Sequence, residues 1–198
     1  MRRICLAVAV VLLLGCLISV SVFADSAISL RARASGQLAG NQADTISGVT
    51  INTDVATGFA IGLDALYKLF PYLQIGGGLE YQLLREVTYQ GASGGSFQFV
   101  PIYGIVRVPF AFGPIEPYVV GRIGYGIYSG DSTYTGTATL NGGLYFAAGA
   151  GVDYKLGAVS IFAEATYAVD DGSMSDSGVT LDTATTGLDV SVGVSFSF

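Results

Sequence analysis

The sequence contains no histidine and no tryptophan, and its two cysteines, Cys5 and Cys16, lie near the start of the chain. Without histidine, the chain lacks the usual general base and the usual orienting partner of a serine nucleophile. Structural zinc sites lose both preferred ligand types once an N-terminal leader removes the cysteines. We therefore predict a protein that is not an enzyme, with no catalytic residues, no cofactor and no metal.

Charge is also scarce in this chain. Charged residues make up 12% of the sequence, whereas a soluble domain carries about 25%. The hydrophobic fraction of 51% excludes a disordered chain, because disordered chains are poor in apolar residues. The net charge of −6 argues against nucleic acid as a partner, since phosphate binding needs a basic face. A surface so poor in charge predicts contact with lipid.

No apolar run beyond residue 24 predicts a membrane-spanning helix. The most apolar stretch, FQFVPIYGIVRVPFAFGPIEP, contains four prolines and Arg107. Helix interiors do not tolerate prolines at this density. A membrane protein with this sequence must therefore cross the bilayer with strands.

The N-terminus is typical of a secretory signal peptide. Arg2 and Arg3 precede an apolar core, and small residues at Val22 and Ala24 predict cleavage after Ala24. Residues 1–24 are then the leader, and residues 25–198 form a barrel domain without cysteine. Two alternatives stay open at this point: LLGC resembles a lipoprotein box that would lipidate Cys16, and the long apolar core could be an uncleaved anchor.

Alternation of apolar and polar residues recurs along the rest of the chain, and this period of 2 predicts β-strands. In the C-terminal DVSVGVSFSF, Val190, Val192 and Val194 fall on the opposite side from Ser191 and Ser195. Eight such segments are predicted, at residues 27–36, 55–67, 72–84, 96–110, 116–128, 144–156, 159–169 and 189–198.

The fourth segment is ambiguous. If Arg107 lies on the polar side, Ile102 and Val106 lie on the apolar side and Gln98 is misplaced. A bulge near Pro101 would resolve this conflict.

Connections between these segments alternate in length. They are short near residues 68–72, 111–115 and 155–158, and long near residues 37–54, 85–96, 129–143 and 170–186. Transmembrane β-barrels show this asymmetry, together with apolar residues outside and polar residues inside. The sequence predicts an all-β, eight-stranded antiparallel transmembrane up-and-down barrel. A soluble lipocalin-like barrel would reverse the polarity, and alternation alone does not distinguish the two.

The segments PYVVGRIGYG and FAAGAGVDYKLGAVSIFAEATYAV, with the C-terminal aromatic residue, resemble the small outer-membrane β-barrel family, which includes the OmpA transmembrane domain and OmpX. The resemblance implies residence in the outer membrane, with membrane lipid as a partner. It also implies that Ser191, Gly193, Phe196 and Phe198 form the signal for the barrel-assembly machinery, since an unpaired last strand offers its edge to a partner. An aromatic girdle is the alternative role of the two phenylalanines.

Charged residues on the polar faces predict an ion-pair network inside the barrel, because buried charges require partners. Its predicted members are Arg31, Arg33, Asp64, Glu80, Arg107, Arg122, Asp153 and Glu164. In a functional version of this network, Glu80 and Glu164 pair with Arg122 or Arg31 and gate a small pore.

The long connections are acidic and are the candidate contact surface, because loops on a rigid scaffold carry recognition. The candidate residues are Asp44, Asp131, Asp170, Asp171, Asp176 and Asp182. The leading hypothesis is therefore a non-enzymatic barrel whose acidic loops meet an extracellular partner in adhesion, or that anchors the envelope. The alternatives are a narrow channel or OmpW-like transporter of small hydrophobic molecules, and a soluble periplasmic lipocalin-like barrel.

Overall fold

The computed structural model describes residues 27–38, 40–89, 92–176 and 178–198. The signal peptide and both of its alternatives fall on residues 1–26, outside this part of the chain. Within the described residues, no helix has the length and apolar character needed to cross a membrane.

Eleven strands and one short helix account for most of the described chain. The strands are β1 (Ile28–Gln37), β2 (Gly40–Ile46), β3 (Val49–Val55), β4 (Gly58–Phe70), β5 (Leu73–Gln82), β6 (Arg85–Tyr89), β7 (Ala92–Pro109), β8 (Ile115–Gly130), β9 (Thr139–Leu156), β10 (Val159–Asp176) and β11 (Val179–Ser197). The helix, α1, covers Ser132–Thr135 between β8 and β9.

Eight of these strands close into an antiparallel barrel, which confirms the predicted fold. The ring runs β1, β4, β5, β7, β8, β9, β10 and β11. Antiparallel pairing of β1 with β11, from Ser29↔Ser197 to Gln37↔Asp189, joins the first strand to the last. Closure removes the open edges that an isolated sheet would expose.

The wall is apolar outside and polar inside. On β8, Val119 and Ile123 are exposed, whereas Tyr118 and Arg122 are buried. The same alternation places the large apolar side chains of the other barrel strands outside and their charged residues inside. The lipocalin-like alternative, which requires the opposite polarity, is therefore wrong.

The two ends of the barrel differ, and we call them the inner and outer ends. The inner end carries the short turns, and exposed aromatic residues surround it: Tyr67, Phe70, Tyr72, Phe110, Phe112 and Tyr154. A second exposed set lies toward the outer end: Phe59, Tyr81, Tyr125 and Tyr167. Two aromatic girdles flanking an apolar band are typical of membrane barrels.

The ambiguous fourth segment lies within β7, and its register follows Arg107. Arg107 is buried and Val106 is exposed. Pairing with β8 runs from Phe97↔Gly130 to Pro109↔Tyr118 without a register shift. The expected bulge near Pro101 is therefore not present in the pairing of β7 with β8.

Much of the chain predicted as long outer loops is strand instead. β2 pairs with β11 and β3, and β6 pairs with β3 and β7. β2, β3 and β6 thus replace β1, β4 and β5 in the ring and continue the wall outward. Ser47 and Gly48 reverse the chain between β2 and β3 with positive φ angles of 49° and 83°, as type I′ hairpin turns require.

Close backbone approach at the β1–β11 junction requires a glycine. A Cβ at Gly193 would collide with the carbonyl oxygen of Ala32 and with the ring of Phe162. Gly121 offers a contrast, because a Cβ there would meet no described atom within 4 Å.

We expect Gly193→Ala to weaken barrel closure by about 1–3 kcal/mol, the usual range for overpacking. Urea unfolding in lipid vesicles, followed by the heat-modifiable gel mobility of the folded form, measures the change. Gly121→Ala is the control and should unfold like the wild type. Equal midpoints for the two variants would contradict the close approach.

Candidate functional site: the charged interior and the acidic outer end

All eight charged residues of the predicted network lie inside the barrel, each at most 5% exposed. They come from seven strands, because the polar face of every barrel strand points inward. The structure divides them into two clusters along the barrel axis. One lies near the inner end and the other near the middle.

The central cluster consists of Arg33, Asp64, Glu80, Tyr103, Arg122 and Glu164. Arg33 contacts Asp64 at 2.6 Å and Glu80 at 2.8 Å. Arg122 contacts Glu164 at 2.6 Å. Charge-assisted hydrogen bonds of this kind are the strong ones in proteins. They hold the guanidinium groups across the lumen.

Tyr103 completes the central cluster. Its hydroxyl donates to Asp64 Oδ1 at 2.7 Å and accepts from Arg33 Nη2. The phenol thus satisfies polar atoms that the ion pairs leave over, as a buried network requires. The position of Tyr103 on the inner face of β7 was the available sequence signal, but the network prediction considered only charged residues.

The inner cluster consists of Arg31, Arg107, Glu116, Tyr118, Asp153 and Lys155. Arg107 contacts Asp153 directly and Glu116 at 3.4 Å, and Lys155 contacts Glu116. Arg31 lies 3.5 Å from Asp153. Glu116 and Lys155 were not among the predicted members, although Glu116 follows the same period of 2.

Tyr118 connects the two clusters. The Tyr118 hydroxyl accepts from Arg31 Nη2 at 2.8 Å and donates to Glu164 Oε2 at 3.0 Å. The gate hypothesis paired Glu80 and Glu164 with Arg122 or Arg31. The structure pairs Glu164 with Arg122, as expected, but Glu80 with Arg33. Arg33 thus binds Glu80 and Asp64 at the same time.

Aromatic side chains close the lumen toward the outer end. Phe97, Phe99 and Tyr128 are buried there, and Tyr134 of α1 packs on Phe97 and Tyr128. The Tyr128 and Tyr134 hydroxyls are hydrogen-bonded at 2.6 Å, and Gln42 donates to Tyr134 at 3.0 Å. We call the four aromatic residues of this group the aromatic lid.

One of the predicted surface residues is inside the barrel. Asp170 is only 5% exposed, because β10 extends to Asp176 and keeps the inward period of Glu164, Thr166 and Ala168. Its assignment to the outer surface was wrong. The continued alternation was the signal that sequence analysis missed.

The other five candidates do lie at the outer end. Asp176, Asp182 and Asp131 are exposed, and Asp44 and Asp171 are half-buried. Asp131 also has a structural role, because it caps α1 by accepting from the Tyr134 N–H at 2.8 Å. Side-chain oxygens are the preferred acceptors at a helix N-terminus.

Exposed charges separate along the barrel axis. All five arginines beyond residue 26 are buried. The exposed cations of the described chain, Lys68 and Lys155, lie beside the inner turns. At the outer end the exposed charges are acidic, and Asp54 and Glu86 add to the predicted set.

The residues of the predicted assembly signal take part in barrel closure. The Ser191 hydroxyl lies 2.8 Å from that of Ser35 on β1. Phe196 and Phe198 are half-buried at the inner rim, and the Phe198 N–H donates to Ile28 O at 2.8 Å.

Within the described ranges, no group of three or more metal-ligating side chains is placed to hold a metal ion.

Comparisons with known proteins identify the architecture. No family model matches the chain, and no curated protein matches it either. The outer membrane protein OprG from Pseudomonas aeruginosa is similar in structure, with a TM-score of 0.65 and 12% identity over 86% of this chain and 95% of OprG. Neisserial surface protein A gives a TM-score of 0.56 and 19% identity over 87% of this chain and 98% of that protein.

These likenesses concern the fold, since both identities are low. The two solved barrels and this chain share nearly their full lengths. Together with the apolar exterior, the aromatic girdles and the closed ring, they show that this chain has the fold of the small outer-membrane β-barrels.

Proposed function

We propose that the chain is a non-enzymatic outer-membrane barrel that presents an acidic surface to a cationic partner outside the cell. The separation of exposed charge along the barrel axis supports this function. In the part of the chain that the structure describes, no exposed cation accompanies the carboxylates at the outer end, so their potentials add. A surface of one sign attracts partners of the opposite sign and accelerates their encounter.

Apart from Asp131, which caps α1, the acidic side chains of the outer end stand on strands. Asp182 on β11 pairs with Ser173 on β10 and with Thr45 on β2. A rigid scaffold fixes the spacing of the carboxylates, which reduces the entropy lost on binding. The partner chemistry that fits is a basic peptide segment or a basic protein surface.

We expect the triple variant Asp171→Asn, Asp176→Asn, Asp182→Asn to weaken binding of an oligolysine peptide by about tenfold at low salt, because three of the attracting charges are removed. Low salt is needed because exposed charges are screened over roughly 10 Å in 0.1 M salt. Binding is measured with the barrel in lipid nanodiscs. Asp131 is left intact because it caps α1.

The matched control is Thr45→Ala, Ser175→Ala, Thr180→Ala, which alters the same hairpins without changing charge. This variant should bind like the wild type. Equal binding by the acidic triple variant, or binding that does not respond to salt, would contradict the proposed contact surface.

We infer a separate role for the C-terminal strand during assembly. Before the barrel closes, β11 has an unpaired edge, and Ser191, Gly193, Phe196 and Phe198 provide alternate side chains for a β-augmentation partner. The accessibility of Phe196 and Phe198 at the rim supports this role in recognition by the barrel-assembly machinery.

Transport is the second candidate function, and one observation favours it. β5 and β7 pair from Gln74↔Arg107 to Leu79↔Ile102, and pairing of the wall resumes only at Arg85↔Phe97. Between these points the described strands form no ladder, and the Gln98 side chain donates to Gln82 O at 2.8 Å. This interruption is a weak point in the wall through which a small molecule could pass.

The closed interior predicts that the wild-type barrel forms no stable pore in planar bilayers. The central cluster and the aromatic lid both obstruct the axis, and an eight-stranded barrel is only wide enough for its own side chains. Truncation of one lid residue in Tyr134→Ala should still give no conductance, because the rest of the lid and the central cluster remain. Stepwise wild-type conductance that changes in Arg122→Gln would favour the gated channel instead.

A further inference from the structure

A group of buried acidic and amide side chains lies between the central cluster and the aromatic lid. It consists of Asp170 of β10, Asp189 of β11, Glu80 and Gln82 of β5, and Gln37 of β1. All five side chains are buried. We call this group the acidic chamber.

No described cation forms a close ion pair with either aspartate of the acidic chamber. In the described part of the chain, neither Asp170 nor Asp189 has a lysine or arginine nitrogen within 4.0 Å. Arg85 is the neighbouring cation, but its guanidinium donates to the carbonyl oxygens of Ala56 at 3.1 Å and Leu38 at 3.2 Å. Arg85 therefore holds the chain where β1 and β3 end. The carboxylates of Asp170 and Asp189 interact with its charge only over a longer distance.

The carboxylates of the chamber also repel one another. Asp189 and Glu80 are both close enough to act electrostatically on Asp170. Glu80 is paired with Arg33, whose charge Asp64 shares. When Asp170 and Asp189 are ionised, the chamber carries a surplus of buried negative charge, which is costly unless a proton or a bound cation compensates it.

Four oxygen atoms of the chamber accept no hydrogen bond from any described residue. They are Asp170 Oδ1, Glu80 Oε1, Gln82 Oε1 and Gln37 Oε1. Gln82 also donates to Asp170 Oδ2 over 3.5 Å, so its free carbonyl oxygen lies next to the Asp170 carboxylate. A buried acceptor without a donor costs about 1–3 kcal/mol in general, and oxygens of this kind are the ligands that hard cations prefer.

We propose that the acidic chamber is a binding site for one small monovalent cation, either an alkali ion or a primary ammonium group. Carboxylate and amide oxygens together provide negative charge and acceptors, which both cations require. No group of three carboxylates in the described chain is arranged for a metal ion, so a divalent ion that demands several carboxylate ligands is a poorer fit.

The surroundings of the chamber restrict the cation to a small one. Arg33 and Arg122 of the central cluster and Phe99 and Tyr128 of the aromatic lid are all buried. Bulky cations such as N-methylglucamine would have to displace these packed side chains. N-methylglucamine chloride is therefore the reference salt in the unfolding experiment.

Urea unfolding of the full chain in lipid vesicles tests the site in NaCl, KCl, methylammonium chloride and N-methylglucamine chloride at one ionic strength. A ligand that binds only the folded state raises the unfolding midpoint. We expect a small cation to raise the wild-type midpoint by about 0.5 M urea relative to N-methylglucamine. A larger shift in NaCl or KCl indicates an alkali ion, whereas a larger shift in methylammonium chloride indicates a primary ammonium group.

Asp170→Asn and Asp189→Asn should each lose this cation-dependent shift, and each should be more stable than the wild type in N-methylglucamine, since one uncompensated charge is gone. Asp182→Asn, an exposed outer carboxylate, is the control and should keep the wild-type shift. A wild-type midpoint that is the same in all four salts would overturn the proposal. So would a shift that persists in both chamber variants.

Discussion

The structure depends on one constraint: inside a bilayer, each backbone N–H and C=O must find its partner within the protein. β1 and β11 satisfy this condition at the edges of the sheet by pairing along nine residues. Once the ring is closed, the period of 2 in every strand must place one row of side chains in lipid and the other in the lumen. The apolar exterior and the charged interior are two consequences of the same closure.

The narrow lumen makes the interior charges interdependent. Tyr118 links Arg31 to Glu164, and Arg33 holds Asp64 and Glu80 together. The balance of charge changes along the axis, because Arg31, Arg107 and Lys155 face two acids in the inner cluster, whereas Arg85 faces two distant acids in the acidic chamber. This gradient continues into the exposed carboxylates of the outer end. Interior and surface thus form one field that is more negative outward.

Sequence patterns were sufficient where one face of a strand is apolar. β8 and β11 alternate clearly, and placing Arg107 inward was enough to obtain the register of β7. The outer strands were missed for a physical reason: segments such as NTD in β3 and TATTG in β11 are polar on both faces, since both faces lie beyond the lipid. The same missed extension of β10 led to the wrong placement of Asp170.

It was harder to predict which residues contact one another in the lumen than which residues face it. Alternation places a residue inside, but which residues meet depends on the stagger between strands around the ring. That stagger is set by pairing between residues distant in sequence, such as Arg31↔Asp64 on β1 and β4. Glu80 therefore meets Arg33, 47 residues away, and the single sequence gave no means of preferring this contact over one with Arg122.

Spin labelling of β11 in lipid nanodiscs tests the central claim most directly. Residues 27–198 contain no cysteine, so a single introduced cysteine is unique there, and Ser→Cys is nearly isosteric at the inward positions. Collisions with oxygen, which concentrates in lipid, should be frequent for labels at Val190, Val192 and Val194 and rare at Ser191 and Ser195. The reverse alternation, or accessibility without a period of 2, would contradict a closed barrel with its apolar face in the membrane.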